Sequence, residues 1–384
     1  MNQINPKLQT ILDDFAQNSI PNGKNSIEYR NLIAAVTASP VLTERLNTAV
    51  EKGYLEKLSV SQDPNSGAFY TPTTKEISFH LQQLKTPEEQ KKFIFLLGHE
   101  IQHGFYHYEQ GAEKAIDEIG TEIDQIAKSI DKQKDYTHPL KLWLDLKRKD
   151  EALAMIAGWN AIVSYEQQKQ NKTNLSLQEI VKEGFRYEIF FLDEDQYDLY
   201  INNDPQGQIT PTAGLKFNAD MTISDSQQEI LAKTYFDLAP EKMRLGQSGI
   251  SDYRNDYATH VIRYIALNHY EHDPNAKLII DMKGLGLDEH LIESSGLDLG
   301  KKNRRAIYYD KSNPDLPQYF DHTIKDENQF EHVPITNPKS ETEEQNHPYS
   351  LKNMPEQAQK LHAQITDKFT EFIKKHHLPY SEDS

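Results

Sequence analysis

Residues Gly98-His99-Glu100-Ile101-Gln102-His103 form an HExxH motif directly after a helix-forming, mostly apolar stretch. Positions four apart lie on one face of a helix, so His99 and His103 are placed to bind one zinc ion together. Glu100 lies beside them, where its carboxylate can take a proton from an attacking water. Two ligands and a general base in so short a run predict a zinc-dependent hydrolase. The alternative is an ordinary amphipathic helix whose histidines are polar surface residues.

The residues before the motif predict where its helix begins. Thr86 is a candidate N-cap, Pro87 suits the first helical position, and Glu89 completes a capping box. The helix is therefore expected to run from about Pro87 past Tyr106, with the motif in its middle.

Two short strands are predicted upstream of this helix, over 67–70 and 76–81, with a turn at 71–74 between them. A strand beside a metal-binding helix can pair with a peptide along a sheet edge, and the strand around Ile77 is our candidate for this contact.

The order of two strands followed by an HExxH helix resembles the zincin metallopeptidases over about residues 67–160. The resemblance implies an α+β, mainly helical fold, in which a zincin-like core has a small mixed sheet beside the HExxH helix. It also implies one Zn²⁺ per chain and a peptide or protein substrate.

A looser resemblance rests on three stretches, Gly67-Ala68-Phe69-Tyr70, Asp150-Glu151-Ala152-Leu153-Ala154 and Asp252-Tyr253-Arg254-Asn255-Asp256-Tyr257. Through them, residues 5–323 are similar to HExxH peptidase domains of bacterial secreted effectors and toxins. This second resemblance implies an immunity or inhibitor protein as a partner.

A catalytic zinc usually takes three protein ligands and a water, so a further ligand is needed. The metzincin pattern requires Gly at position 106 and His at position 109, where this chain has Tyr106 and Glu109. His107 shares the face of His103 but lies about 6 Å further along the helix axis, so we expect it beside the site or at the surface.

The gluzincin pattern takes its third ligand from a glutamate on a later helix, and Glu151 is the best candidate. Small residues follow it (Ala152, Ala154, Ala157 and Gly158), so its helix can approach the metal helix closely. A carboxylate beside such an apolar stretch is costly to bury unless it is paired or metal-bound. Glu113, Glu118 and Glu122 are the alternatives. Many gluzincins carry an aspartate four residues after the glutamate, but this chain has Met155, so the histidines must be oriented by another residue.

Zinc peptidases commonly stabilise the oxyanion with a Tyr or His hydrogen bond. Tyr257 and His260 are candidates, because they share one face of a helix predicted over 252–270. The alternative is an aromatic packing stripe.

Composition narrows the classes of partner. Lys and Arg number 42 and Asp and Glu 59, for a formal net charge of −17, which argues against nucleic-acid and anionic-membrane binding. If the site is acidic too, this balance favours cationic peptides as substrates. No cysteine is present, so disulfides and thiolate ligands are excluded. The N-terminus lacks a classical signal-peptide pattern, which is consistent with a cytoplasmic protein or with export by a dedicated secretion system.

The chain predicts four regions. They are a helical N-terminal region (1–66), a zincin-like catalytic domain with a C-terminal subdomain (67–325), a polar linker (326–353) and a C-terminal helix with its tail (354–384). An isoleucine stripe at 116, 119, 123, 126 and 130 predicts a core-facing helix.

Together these features predict a zinc metallopeptidase in which His99, His103 and Glu151 hold the metal and Glu100 is the general base. Two rivals remain. One is a zinc amidase that acts on cell-wall peptides, and the other is a non-catalytic binding or scaffold protein.

Overall fold

The computed structural model describes residues 3–61, 68–86, 89–181, 211, 214–243, 245–246, 249–273, 276–297, 299, 308–312, 320–326 and 329–334. This part of the chain is mainly helical with a small amount of sheet, which confirms the α+β, mainly helical class. None of the described helices has both the length and the apolar composition needed to cross a bilayer.

The described helices are α1 (Pro6–Ser19), α2 (Ile27–Ala38), α3 (Pro40–Lys52), α4 (Gln90–Glu109), α5 (Ala112–Lys128), α6 (Thr137–Gln170), α7 (Leu177–Val181), α8 (Gln228–Thr234), α9 (Pro240–Met243), α10 (Tyr253–His272) and α11 (Glu289–Ser294). The described strands are β1 (Lys57–Val60), β2 (Ala68–Thr71), β3 (Glu76–Phe79), β4 (Gln133–Asp135), β5 (Lys277–Ile280), β6 (Tyr309–Asp310), β7 (Phe320–Asp326) and β8 (Gln329–Pro334).

The chain forms two compact units, each discontinuous in sequence. The first contains Met1–Glu113 and Lys149–Tyr235, and the second contains Lys114–Arg148 and the described residues from Phe236 onward. The long helix α6 contributes residues to both units. The region boundaries near 66, 325 and 353 follow changes in composition along the chain, and they stay predictions.

The first unit opens with three helices, which confirms the helical N-terminal stretch. Each begins at a polar N-cap whose side chain accepts a backbone N–H of the first turn: Asn5 for α1, Ser26 for α2 and Ser39 for α3. Their apolar faces are buried in the core of this unit, through Leu8, Leu12, Phe15, Leu32, Val36, Leu42 and Leu46.

The first unit also contains a three-stranded sheet in the order β1-β3-β2. Strand β3 is parallel to β1 and antiparallel to β2, which confirms the two predicted strands and the turn between them. Because β3 is paired on both sides, Ile77 is at the centre of the sheet and its strand cannot take up a substrate. That part of the prediction was wrong, and β1 and β2 are the outer strands of this sheet among the described residues.

Helix α4 carries the HExxH motif near its middle. It begins at Gln90, with Glu89 at the N-cap position and no side-chain cap hydrogen bond. The predicted N-cap, Thr86, lies before this start, and its carbonyl accepts the backbone N–H of Glu89. Pro87 lies outside the described residues.

Helix α6 packs closely against α4 because both helices carry glycine at the contact. A Cβ on Gly98 would lie 3.0 Å from the Cβ of Ala161 and 3.1 Å from the carbonyl oxygen of Ala157. A Cβ on Gly158 would lie 2.8 Å from the ring of Phe95. This close approach brings the middle of α6, with its acidic residues, to the histidine face of α4.

The second unit contains a parallel sheet in the order β4-β5-β6, next to helix α10 and the isoleucine face of α5. Ile116, Ile119 and Ile123 are buried in its core and Ile126 packs against it, which confirms most of the predicted stripe. Ile130 is 99% exposed, because α5 ends at Lys128 before the helical spacing reaches it.

Strands β7 and β8 form an antiparallel hairpin. The hairpin reaches Pro334, so the first part of the predicted polar linker is a strand. In the sequence of β7, Phe320, His322 and Ile324 alternate with polar residues. This alternation is a strand signal, but the overall polarity of the region conceals it. The predicted C-terminal helix, 354–384, lies outside the described residues.

Candidate metal centre

The centre of α4 places three metal-binding side chains together. His99 and His103 lie one turn apart, with ring centroids 5.0 Å apart and ring planes at 78°. Among the described residues, these two histidines and Glu100 form a candidate metal-binding group. The ligand atoms of the three side chains all lie within 4.8 Å of one another. His99 and Glu100 are buried, and His103 is largely so. The donor types are nitrogen and oxygen, which suit zinc better than calcium or magnesium.

Glu151 lies against this group from the neighbouring helix. Its Oε2 atom is 3.5 Å from Nε2 of His99, and both side chains are buried. Glu151 is in the middle of α6 rather than at a helix start, so its burial follows from the close α4–α6 approach. The structure therefore brings this predicted ligand to the motif through His99.

The alternative glutamates have other partners. Oε1 of Glu113 lies 3.9 Å from Nε2 of His107, and its side chain is 60% exposed. Glu118 pairs with Lys114, and Glu122 contacts His138, in the second unit. His107 thus lies beside Glu113 near the end of α4, as expected for a residue outside the site.

Asp150 contacts the second histidine of the motif and was not predicted. Its Oδ1 atom lies 2.7 Å from Nδ1 of His103, and both side chains are mostly buried. The sequence offered one signal, the adjacent acidic pair of Asp150 and Glu151. The gluzincin pattern points instead to position 155, where the residue is Met.

Glu100 is buried, and the backbone of strand β2 contacts its carboxylate. Burial raises the pKa of its carboxyl and the charge of Glu151 adds to this, whereas His99, His103 and a hydrogen bond from the Tyr70 backbone N–H oppose it. A carboxylate whose pKa is raised is a stronger base than an exposed one, which suits proton transfer.

The carboxylates also change the proton affinity of His103. Burial alone would lower its pKa, but the charge and hydrogen bond of Asp150, together with Glu151 and Glu100, raise it to about 9. In the metal-free protein His103 therefore carries a proton at neutral pH.

His99 differs from His103 in its hydrogen bonding. Its Nδ1 atom is buried and has no hydrogen-bond partner among the described residues. Ring contacts position it instead: the Phe95 ring lies 6.1 Å away and the Tyr235 ring 6.5 Å away, between centroids.

Strand β2 lies across α4 at a glycine. A Cβ on Gly104 would be 3.0 Å from the Tyr70 hydroxyl oxygen, and that hydroxyl donates to the carbonyl of Tyr54. The Tyr70 ring therefore fits over a position without a side chain. This contact places the β2 backbone beside Glu100.

Gln102 lies between the two motif histidines in the sequence and contacts α3. It is buried and accepts a hydrogen bond from Arg45 of α3, whose guanidinium lies 4.4 Å from the centroid of the Phe105 ring. These contacts hold one face of α4 against α3. The face that carries the histidines packs against α6.

Tyr235 is a second residue that the sequence interpretation missed. It follows α8 in the first unit, and its ring meets the His99 ring at 77°. A lone tyrosine after a short helix has no pattern that would identify it in advance.

The predicted oxyanion residues belong to the second unit. Tyr257 stacks with Phe236 and Tyr253, at centroid distances of 6.0 Å from each. His260 lies 3.8 Å from Asp256 on the same helix, between Nε2 and Oδ2. These contacts favour the packing-stripe alternative for Tyr257, and the catalytic role of both residues stays a prediction.

No protein-family model, curated protein or solved structure matches the chain.

Proposed function

We propose that this chain is a zinc-dependent metallopeptidase with a zincin-like core, in which His99, His103 and Glu151 hold the metal. The observation that supports this most directly is the contact between two separate helices at the motif. Two buried histidines on α4 lie beside two buried carboxylates on α6. Burying such groups without a function is costly, which favours a metal centre over a helix with surface histidines.

Zinc, when bound, supplies Lewis-acid activation of a water and polarises the substrate carbonyl. Glu100 is the general base: it accepts a proton from the attacking water and returns it to the nitrogen of the leaving amine. The Tyr70 backbone N–H holds one side of the Glu100 carboxylate, so the proton-accepting oxygen has a fixed direction.

The edge of strand β2 is the proposed place for the substrate backbone. It lies at one end of the β1-β3-β2 sheet order and beside Glu100. An extended peptide can add to such an edge through main-chain hydrogen bonds, and the side chains at alternate positions then determine specificity. This assignment replaces the strand around Ile77.

Tyr235 is the proposed oxyanion donor. Its hydroxyl is carried by a ring that contacts a proposed metal ligand within the same unit. Tyr235→Phe removes only the hydroxyl, so we expect kcat to fall by about 100-fold, with KM and zinc content unchanged. An unchanged kcat would exclude this residue.

The experiment that tests the proposed function is Glu100→Gln, with a library of unstructured peptides as substrate and new N-termini detected by mass spectrometry. We expect cleavage to fall by about 10²- to 10⁴-fold while zinc content stays the same. Glu113→Gln is the matched control, because it makes the same change on an exposed side chain of the neighbouring helix.

Full activity of the Glu100→Gln variant would contradict the mechanism. A zinc-loaded wild-type protein that cuts cell-wall peptides and no others would favour the amidase, and a protein without zinc would favour the scaffold.

A further inference from the structure

Asp150 is next to the proposed ligand Glu151 but makes a different contact. Its Oδ1 atom lies 2.7 Å from Nδ1 of His103, whereas Glu151 faces Nε2 of His99. We propose that Asp150 is a positioning residue that makes His103 bind zinc through Nε2. This inference rests on the proposed function, because it concerns the orientation of one of the metal ligands.

The hydrogen bond determines which nitrogen of His103 is available. A carboxylate accepts hydrogen bonds, so Nδ1 carries the hydrogen and donates it to Asp150. In a neutral imidazole the lone pair is then on Nε2, on the opposite side of the ring. The contact thus fixes the tautomer and the ring direction together, as carboxylates do for many metal-bound histidines.

The same geometry argues against Asp150 as a ligand. The two nitrogens of an imidazole point away from each other, so a carboxylate bonded at Nδ1 is on the side of the ring away from a metal at Nε2.

His99 provides an internal comparison. Its Nδ1 atom has no hydrogen-bond partner among the described residues, and ring packing holds it instead. Of the two histidines, His103 is therefore the one whose orientation depends on a hydrogen bond. Loss of Asp150 should affect His103 and leave His99 in place.

The test compares Asp150→Ala and Asp150→Asn with the wild-type protein. Asp145→Asn is the matched control, since Asp145 is an exposed residue of the same helix and pairs with Lys141. The first measurement is zinc affinity by competition with a chelator. The second is ¹⁵N NMR of the His103 imidazole in the zinc-loaded protein, and thermal unfolding reports on folding.

We expect Asp150→Ala to weaken zinc binding by about 10- to 100-fold and to remove the slowly exchanging Nδ1–H signal of His103. Asp150→Asn should be intermediate, because an amide oxygen still accepts a hydrogen bond but carries no charge. Asp145→Asn should match the wild type. If Asp150→Ala does not fold, the affinity and the NMR signal of Asp150→Asn decide.

Wild-type affinity with an unchanged His103 signal in the folded variants would overturn the inference. So would complete loss of zinc, equal to that of His103→Ala, because Asp150 would then be a ligand. Zinc binding by the wild-type protein separates the two proposals. If the wild-type protein binds no zinc, both the proposed function and this inference fail. If it binds zinc, the results for the Asp150 variants test this inference alone.

Discussion

Two adjacent carboxylates of α6 contact the two histidines of the HExxH motif, Asp150 at His103 and Glu151 at His99. At the residue scale, this arrangement sets up competition between a proton and a metal ion for the same atoms. The carboxylates that would attract zinc also raise the pKa of His103 to about 9 in the metal-free protein. Metal binding must therefore release the proton.

This competition predicts how zinc affinity depends on pH. His103 is protonated below about pH 9 in the metal-free state, so the apparent affinity should rise by about tenfold per pH unit from about pH 7 toward pH 9. Calorimetry in buffers of different ionisation enthalpy should detect release of about one proton per zinc near pH 7.5. An affinity that stays flat over this range would contradict the prediction.

The individual residues of the site were predictable to different degrees. His99, Glu100 and His103 follow from helical spacing alone, which the sequence contains. Glu151 was found through the small residues after it, which indicate a close helix contact. Asp150 was missed because its contact depends on how α6 is rotated about its own axis, and neighbouring sequence positions do not determine that rotation.

At the scale of elements, the site depends on the distance between α4 and α6. Gly98 precedes His99 and packs on the backbone of α6 at Ala157 and Gly158. The motif glycine therefore has a packing role that is separate from the chemistry of its neighbours. Side chains at this contact would separate the helices and move Glu151 away from His99.

Gly98→Ala tests this contact. The added methyl would lie 3.1 Å from a backbone oxygen, which cannot rotate away, so crowding should cost about 1–3 kcal/mol. The higher helix propensity of alanine offsets about 1 kcal/mol of this cost. We expect a lower melting temperature together with weaker zinc binding.

The control for this variant is Asp145→Ala, an exposed change on α6 that should stay within about 0.5 kcal/mol of the wild type. If Gly98→Ala is as stable as the wild type and binds zinc equally well, the close contact does not determine the site.

The helices with a strong periodicity of apolar residues were predicted well. The pairing of strands was predicted less well. Helices α4, α5, α6 and α10 follow from their spacing. The position of β3 at the sheet centre did not, because it depends on β1, a four-residue strand that was not recognised. Strand order is set by tertiary packing, which a single strand's sequence does not encode.

At the scale of the whole molecule, the proposed site belongs to one compact unit that is built from separate segments. His99, His103 and Tyr70 come from Met1–Glu113, whereas Asp150, Glu151 and Tyr235 come from Lys149–Tyr235. A continuous catalytic domain was predicted from composition. Composition does not show that a helix such as α6 leaves one unit and continues in the other.

The net charge of the chain also acts at this scale. A formal charge of −17 creates a field that attracts cations, including zinc and basic peptides. The preference for cationic substrates is an expectation from this charge, and basic peptides are the first substrates to test.

The most direct test of the central claim is a crystal structure of the zinc-loaded protein, with anomalous data collected on both sides of the zinc absorption edge. We predict one anomalous peak bound by Nε2 of His99, Nε2 of His103 and a carboxylate oxygen of Glu151, with Glu100 beside it and not bound. A peak coordinated by Glu100 in place of Glu151, or no peak at this position, would contradict the account.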